Sequence, residues 1–480
     1  MLLESKQAGL EKAMKKYRTL LSPIHRLPSE VLLEIFQHCC HTNTLSDPQV
    51  PPALALSRVC GRWRDIAVSS PRLWSSITIS QFRSRDKVEH SRRQRMTTCL
   101  TRLFLERSKN APLKLKLRFP WDPSEVDYSN GMVMDLLGAQ SKRWEELTID
   151  ETELYASSAA GDIDLPILKR LTLLTESPDS MSSSLILDRF AHCPALTSLC
   201  TDVALTAHRL SLPWANIRTL TLQGCADGED QLFILSLCSS SVQRLTFVDV
   251  ETNDWGSWEG DRILADMVTS LSLQADPWSD VDTSVVQHLT LSRLSSVDIG
   301  TKLHDQPNPF SRFARSDESV HLEELIQRSS CTITSLRLQS TMLTDVQVLS
   351  LLRLMPRLKD LDIGEYISEA NNRVITHQFS NHLLVDPEDR RAPLVPHLTE
   401  LKLSIHLNGL DQQALAEALK SRWLPLPPVV ADVGVGCLKS VELVLISDDV
   451  ESLPPGPLSA LQCFRDVGLR FTISQLRTRR

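Results

Sequence analysis

One short phrase recurs beyond residue 140, and it restricts the fold more than any other feature. A Leu-x-Leu or Leu-x-Ile core follows a polar residue or an Arg/Lys lead. The copies are EELTID (Leu147), LKRLTLL (Leu171), ALTSLCT (Leu199), IRTLTLQ (Leu220), VQRLTFV (Leu245), VQHLTLS (Leu289), ITSLRLQ (Leu336), LKDLDIG (Leu361), LTELKLS (Leu401) and LKSVELV (Val441). Alternation of this kind is the signature of a strand with one buried face. Leu147 to Leu171 is 24 residues, Leu199 to Leu220 is 21, and Leu220 to Leu245 and Leu336 to Leu361 are each 25. Spacings near 40, from Leu361 to Leu401 and from Leu401 to Val441, fit insertions that lengthen some turns.

A strand phrase at this period is the mark of leucine-rich repeats. Helix-competent stretches, such as LILDRFAHCPAL and DVQVLSLLRLMPRL, lie between copies. Each buried leucine contributes roughly 1.5–3 kcal/mol, and no single repeat can bury its own face. Stacking is therefore required, and a curved β/α solenoid over residues 96–480 is expected. The copies are degenerate: the Asn/Cys position that follows the strand is mostly missing, and Gln223-Gly224-Cys225 comes nearest to it. An ordinary α/β domain with leucine-rich strands is the competing reading.

The N-terminal part has a helical rhythm instead. Leu3, Leu10, Met14, Tyr17 and Leu21 mark a helix over residues 1–22, ended by Ser22-Pro23. In HRLPSEVLLEIFQHCC, Pro28 suits a first helical turn and Glu30 favours its positive end. Val31, Leu32, Ile35, Phe36 and Cys39 read as one apolar face. The polar stretch HTNTLSDPQVPP, His41 to Pro52, reads as a loop. A second helix is expected from Ala53 to Val68, with Leu56, Val59, Cys60, Trp63, Ile66 and Ala67 on its apolar side. Ser70-Pro71 stops it, and Ile77 and Ile79 alternate like a strand. Residues 81–95 are polar and mostly basic and read as a linker. A helix follows from Met96 to Ser108, then strand-like Leu113, Leu115 and Leu117.

The run SPIHRLPSEVLLEIF…LALSRVCGRWRDIAVSSPRLWSSITI, within residues 23–80, is similar to the F-box. Leu27, Pro28, Glu30, Leu32, Ile35, Phe36, Val59, Cys60, Trp63, Ala67, Pro71, Leu73 and Trp74 match that family's pattern in order. The leading helix, the ERSKNAPLKLKL segment and the loose repeats also resemble fungal F-box proteins. The resemblance implies an all-α F-box followed by a leucine-rich-repeat-like solenoid, a mixed α/β chain. It further implies docking on a Skp-type adaptor and, through it, on a cullin–RING ubiquitin ligase, with the repeats holding an unidentified target protein. The adaptor surface is then expected at Leu27, Pro28, Leu32, Ile35 and Phe36, with Val59 and Cys60 from the second helix. Trp63, Ala67, Leu73 and Trp74 are expected to pack the module. A non-degradative interaction scaffold would use the same parts. The loop from His41 to Pro52 is long for the family and lies between the docking helices.

Composition narrows the alternatives. The 480 residues are 42% hydrophobic and 23% charged, enough for a sizeable core. A net charge of -7 gives no case for nucleic-acid binding. No secretory signal, glycosylation sequon or long apolar run is seen, so an intracellular place, cytoplasmic or nuclear, without membrane insertion is expected. Eleven cysteines, with no Cys-x-x-Cys, read as reduced thiols. His38-Cys39-Cys40-His41 looks like a zinc cluster, but adjacent helical residues diverge by about 100° and cannot converge on one ion. Phosphate-cradling and hydrolase motifs are missing. No catalysis, cofactor or metal is expected. Trp255, Trp258 and Trp278, among acidic residues, form the most unusual local patch. They fit an interface or the start of a helix over 261–271. The prolines at 425–428 and 454–457 read as repeat terminators.

Overall fold

The computed structural model describes residues 23–46, 49–80, 87–118, 131–150, 164–174, 190, 192–201, 212–224, 228–249, 261–275, 283–301, 318–341, 343–365, 373–386, 393–408, 410–423, 435–447 and 456–477. The expected leading helix, the tryptophan patch, half of LILDRFAHCPAL and most of the late prolines lie outside these residues. The chain divides into two compact units, Met1–Ser177 with Arg189–Ala195 and Pro178–Asp188 with Leu196–Arg480.

In the first unit, α1 (Ser29–Cys39), α2 (Pro52–Leu56) and α3 (Gly61–Ser69) precede a 3-10 turn, Pro71–Trp74, and strand β1 (Ser76–Ser80). The helix expected from Ala53 to Val68 is thus two helices. Cys60 is extended (φ -157°, ψ 171°), Ser57 Oγ donates back to Leu54 O, and Arg64 Nε donates to Ser57 O, so the chain turns between them. The basic linker is also shorter than expected, because α4 runs from Lys87 to Ser108. Its apolar side carries the helix against the 3-10 turn, where Phe104 meets the Trp74 ring edge-on at 4.9 Å.

Strands β2 (Leu113–Arg118), β3 (Trp144–Asp150) and β4 (Arg170–Leu174) follow β1 in parallel, with α5 (Gly131–Gly138) between β2 and β3. Register places Ile77 beside Leu115, Leu115 beside Leu147, and Leu147 beside Leu171. A register shift at Leu113/Lys114 absorbs an extra residue. The helical module and these first strands fall in one compact unit.

The second unit repeats the same plan. Its main strands are β5 (Ser198–Thr201), β6 (Thr219–Gln223), β7 (Arg244–Val248), β9 (Ser270–Ala275), β11 (Ser296–Thr301), β12 (Ser335–Gln339), β13 (Asp360–Gly364), β14 (Glu400–His406), β15 (Ser440–Ser447) and β16 (Arg470–Arg477), neighbours in chain order. Among the described residues these strands pair in parallel, so the chain must cross over between them. Helices α6 (Gly228–Cys238), α7 (Glu318–Ser329), α8 (Asp345–Arg353), α9 (His377–Leu383) and α10 (Gln412–Arg422) supply many of these crossovers. One apolar column runs in register from Leu199 through Leu220, Leu245, Leu271, Val297, Leu336, Leu361, Leu401 and Val441 to Phe471. Every member of that column is buried. The long parallel stack is consistent with a solenoid-like repeat domain.

Two backbone devices recur with the strands. The carbonyl just before a strand accepts two N–H bonds from the start of the next repeat's strand. This runs from Thr197, which accepts from Arg218 and Thr219, to Thr399, which accepts from Lys439 and Ser440, at 2.7–3.2 Å. After the strand, Gly224, Asp249 and Ser340 take left-handed conformations with φ 52–53°. Each sends its N–H to the last residues of the following strand, at Val248, Gln274 and Gly364. These positions do the turning expected of the missing Asn/Cys.

Two sequence expectations fail here. Leu289 does not join the main stack: it lies in β10 (Leu289–Thr290), which pairs with β8 (Ile263–Leu264) in a separate two-stranded ladder. The strand of that repeat is instead β11, centred on Val297, whose single valine and isoleucine hide the phrase. A helix over 261–271 is also contradicted, since β8 and the start of β9 occupy that range.

Candidate docking surfaces

The helices of the first unit sort their apolar residues into two stripes. Leu32 and Phe36 have no exposed surface, and Cys40 is nearly buried. Val31 is 42% exposed and Ile35 39% exposed, and Cys39 is exposed too. Residues 31, 35 and 39 follow one i, i+4 line, and residues 32, 36 and 40 the neighbouring line about 100° away. Sequence periodicity merges the two stripes, which corrects the expected docking set. Leu32 and Phe36 pack the module, whereas Val31, not in that set, stands beside Ile35 on the surface. Pro28 is exposed at the N-cap of α1, and Leu27 is half-buried with its carbonyl accepting from Arg62 Nη2 at 2.5 Å. Val59 is 58% exposed in the turn before α3, and Cys60 is half-buried as the N-cap of α3.

The remaining aromatic positions hold these helices together. Trp63 lies with its ring centroid 4.8 Å from that of Phe36 and is only half-buried. Trp74 is fully buried, donates from Nε1 to Ala67 O at 2.7 Å, and carries the Arg107 guanidinium 4.4 Å above its ring. Ala67 and Leu73 are buried around it.

The long loop is anchored by Asn43, which has no exposed surface. Its Nδ2 donates to Cys40 O, Leu73 O and Ser76 O at 3.0–3.3 Å, and its Oδ1 accepts from Ala53 N–H at 3.0 Å. The backbone continues along β1: Thr78 N–H donates to Asn43 O and Leu45 N–H to Thr78 O. The described part of the loop is therefore an edge cover for β1. Nothing in the sequence pattern indicates that role.

The zinc-like run is dispersed. His38 and His41 each bond a backbone carbonyl, and burial pushes the Cys40 thiol up to about 12, with Cys39 adding to the rise. Among the described residues no group of three or more His, Cys, Asp or Glu side chains is placed to hold a metal, and no helix is long and apolar enough to cross a membrane.

Residues 24–80 match the family model described as F-box-like. The chain carries an F-box-like domain. No curated protein matches the chain. Among solved structures, a protein from Bacteroides fragilis known from a crystal structure is similar at 14% identity, over 72% of this chain and 82% of that one, with a TM-score of 0.29.

A second surface is the polar face of the parallel strands. In the first unit Glu146 on β3 lies between Lys114 (2.6 Å) and Arg170 on the adjacent strands. Burial raises this carboxyl, but its bonds to the two cations outweigh that and hold it below the usual range. In the second unit Asp298, Arg337, Asp362, Lys402 and Glu442 occupy one register row and alternate in sign. Arg337 meets Asp362 at 3.3 Å, and Lys402 meets Glu442 at 3.2 Å. Gln339 Nε2 also donates to Asp362 at 2.7 Å. Burial nonetheless raises the Asp362 carboxyl, as it does that of Asp360, which also faces Glu400. Exposed pairs of this kind add little stability, but a row of fixed charges at strand spacing is suited to discriminating partners.

Proposed function

We propose that this chain is the substrate-recognition subunit of a Skp–cullin–F-box ubiquitin ligase. The observation that carries this reading is the F-box-like match over residues 24–80, together with the apolar residues those helices leave on the surface: Pro28, Val31, Ile35 and Val59. F-box domains generally bind Skp-type adaptors, and exposed apolar helix positions are the material of interface cores. Through the adaptor the chain would reach a cullin–RING ligase, whose partner enzymes supply the chemistry by proximity. The chain itself would catalyse nothing.

We read the parallel stack as a curved leucine-rich-repeat-like solenoid of the kind carried by fungal F-box proteins, with its polar strand face as the target surface. The F-box-like helices share a compact unit with β1–β4. Adaptor docking would therefore fix the start of the repeat sheet rather than a loosely tethered domain.

Proximity labelling in cells, comparing wild type with Ile35→Asp/Val59→Asp, tests this function. A target should be labelled by both forms and should become more abundant with the variant. Labelled partners whose abundance is the same in both would favour a non-degradative scaffold.

A further inference from the structure

Side chains at the ends of the crossover helices tie one repeat to the one before it. Arg422, the last residue of α10, has no exposed surface. Its Nε donates to Leu383 O at 2.6 Å, Nη1 to Val395 O at 3.1 Å and Nη2 to Leu394 O at 2.5 Å, all in the preceding crossover. Beside it, Ser421 Oγ accepts from Val385 N–H at 3.0 Å. Arg328 and Ser329 at the end of α7 repeat the arrangement. Arg328 donates to Val286 O and Leu289 O at 2.9–3.1 Å, and Ser329 Oγ accepts from Leu291 N–H at 3.0 Å. In the first unit Arg143 donates to Ala111 O at 3.0–3.1 Å and to Ser108 Oγ at 2.7 Å. These contacts reach back 27 to 42 residues, about one repeat.

The chemistry suits a guanidinium. Its rigid fork presents five N–H donors, enough to satisfy several carbonyls at once. Leu383 ends α9, where carbonyls have no partner within the helix. Among the described residues no carboxylate pairs with Arg422, and burial lowers its pKa to about 10, so it stays charged near pH 7. A buried cation held only by the carbonyls of another crossover loses all its partners if that crossover moves away, which is costly. Arg422 O also accepts from Leu438 N–H, which leads into β15. The same residue thus keeps β14 and β15, which carry Lys402 and Glu442, in step. Arg353 offers a natural control. It closes α8 at the same point, is exposed and, among the described residues, has no hydrogen bond or ion pair.

We infer that the Ser421–Arg422 and Arg328–Ser329 pairs are conformational couplers: the crossover that each pair ends opens together with the crossover before it, whereas α8 opens without drawing α7 along. In a repeat array the interface between neighbours decides how far a local opening spreads. Here that interface term is concentrated in one arginine and one serine per clasp. The coupling is a property of the repeats and holds whatever the chain binds.

Hydrogen exchange on the full-length chain reads the coupling segment by segment. Arg422→Lys keeps the charge but cannot span three carbonyls. Amides of residues 379–385 and 395–398, in the preceding crossover, should exchange on the order of 10- to 100-fold faster, together with those of α10. Arg328→Lys should do the same to residues 286–291 together with α7, and it carries the test if Arg422→Lys does not fold. Arg353→Met should leave α7 and α8 at wild-type rates. Faster exchange confined to the helix that bears the substitution overturns the inference. So do wild-type rates in both lysine variants, or an Arg353→Met that speeds exchange in α7.

Discussion

Replacing Asn43 tests how the helical module is joined to its sheet. Its carboxamide is fully buried and donates to three carbonyls, and it accepts from Ala53 N–H. Asn43→Ala leaves that N–H buried without its partner and removes the donor from Leu73 O and Ser76 O. An orphaned buried group costs about 1–3 kcal/mol, so a local loss of about 3 kcal/mol is expected for the whole cluster. Asn43→Asp keeps the shape and the acceptor but turns a donor into an anion facing three carbonyl oxygens. It should be at least as damaging as the alanine. Hydrogen exchange on the full-length chain is the assay, because local opening is read segment by segment. Amides of residues 43–53 and 76–80 should exchange roughly 100-fold faster in either variant, at 1.4 kcal/mol per tenfold. The repeats of the second unit should be unchanged. If Asn43→Asp exchanges like wild type, the carboxamide is not the joint, and the covered edge of β1 needs another explanation.

Other consequences are more local. Trp74→Phe keeps an aromatic ring against Phe104 but removes the Nε1 bond to Ala67 O, which still accepts from Ser70 N–H, and should cost about 1 kcal/mol, seen as faster exchange in α3. Gly300→Ala would drive a Cβ into the Gln339 backbone carbonyl, whereas Gly364→Ala meets only the movable end of the Gln339 side chain. Gly300→Ala should therefore cost about 1–3 kcal/mol, read as a clearly lower thermal midpoint, and Gly364→Ala less. Burial pushes the Cys40, Cys193 and Cys238 thiols up to about 12, so near pH 8 they stay protonated. Alkylation followed by mass mapping should modify exposed Cys39, Cys99 and Cys463 first and leave those three until the chain unfolds.

The repeat plan was largely legible because strand alternation has a period of two and survives degeneracy. Of the ten strand phrases, Leu289 misled because a Leu-x-Leu run can sit in a short side ladder, and only tertiary register distinguishes the two. Val297 was missed because a lone valine and isoleucine between serines carry little hydrophobic signal. The post-strand turn was hidden for a different reason. Its left-handed conformation is met by glycine, aspartate and serine in different repeats, so no single residue type marks it. In the F-box-like helices the resemblance to the family's ordered motif marked the segment, but inside and outside were blurred. Residues 31 and 32, and 35 and 36, are all apolar, and a 100° rotation separates core from surface. The role of Asn43 was illegible because a polar residue in a polar loop gives no hint that it is buried.

The central claim is that the exposed stripe of the F-box-like helices docks a Skp-type adaptor. Binding of the purified adaptor to full-length wild type, Ile35→Asp/Val59→Asp and Leu32→Asp tests it most directly. Apolar side chains buried at an interface contribute roughly 1.5–3 kcal/mol each, so the surface double variant should bind on the order of 100-fold more weakly while melting like wild type. Leu32→Asp should lose binding together with the fold of residues 23–80, because its side chain is in the core. A wild type that does not bind the adaptor, or a double variant that binds as tightly as wild type, would contradict the account.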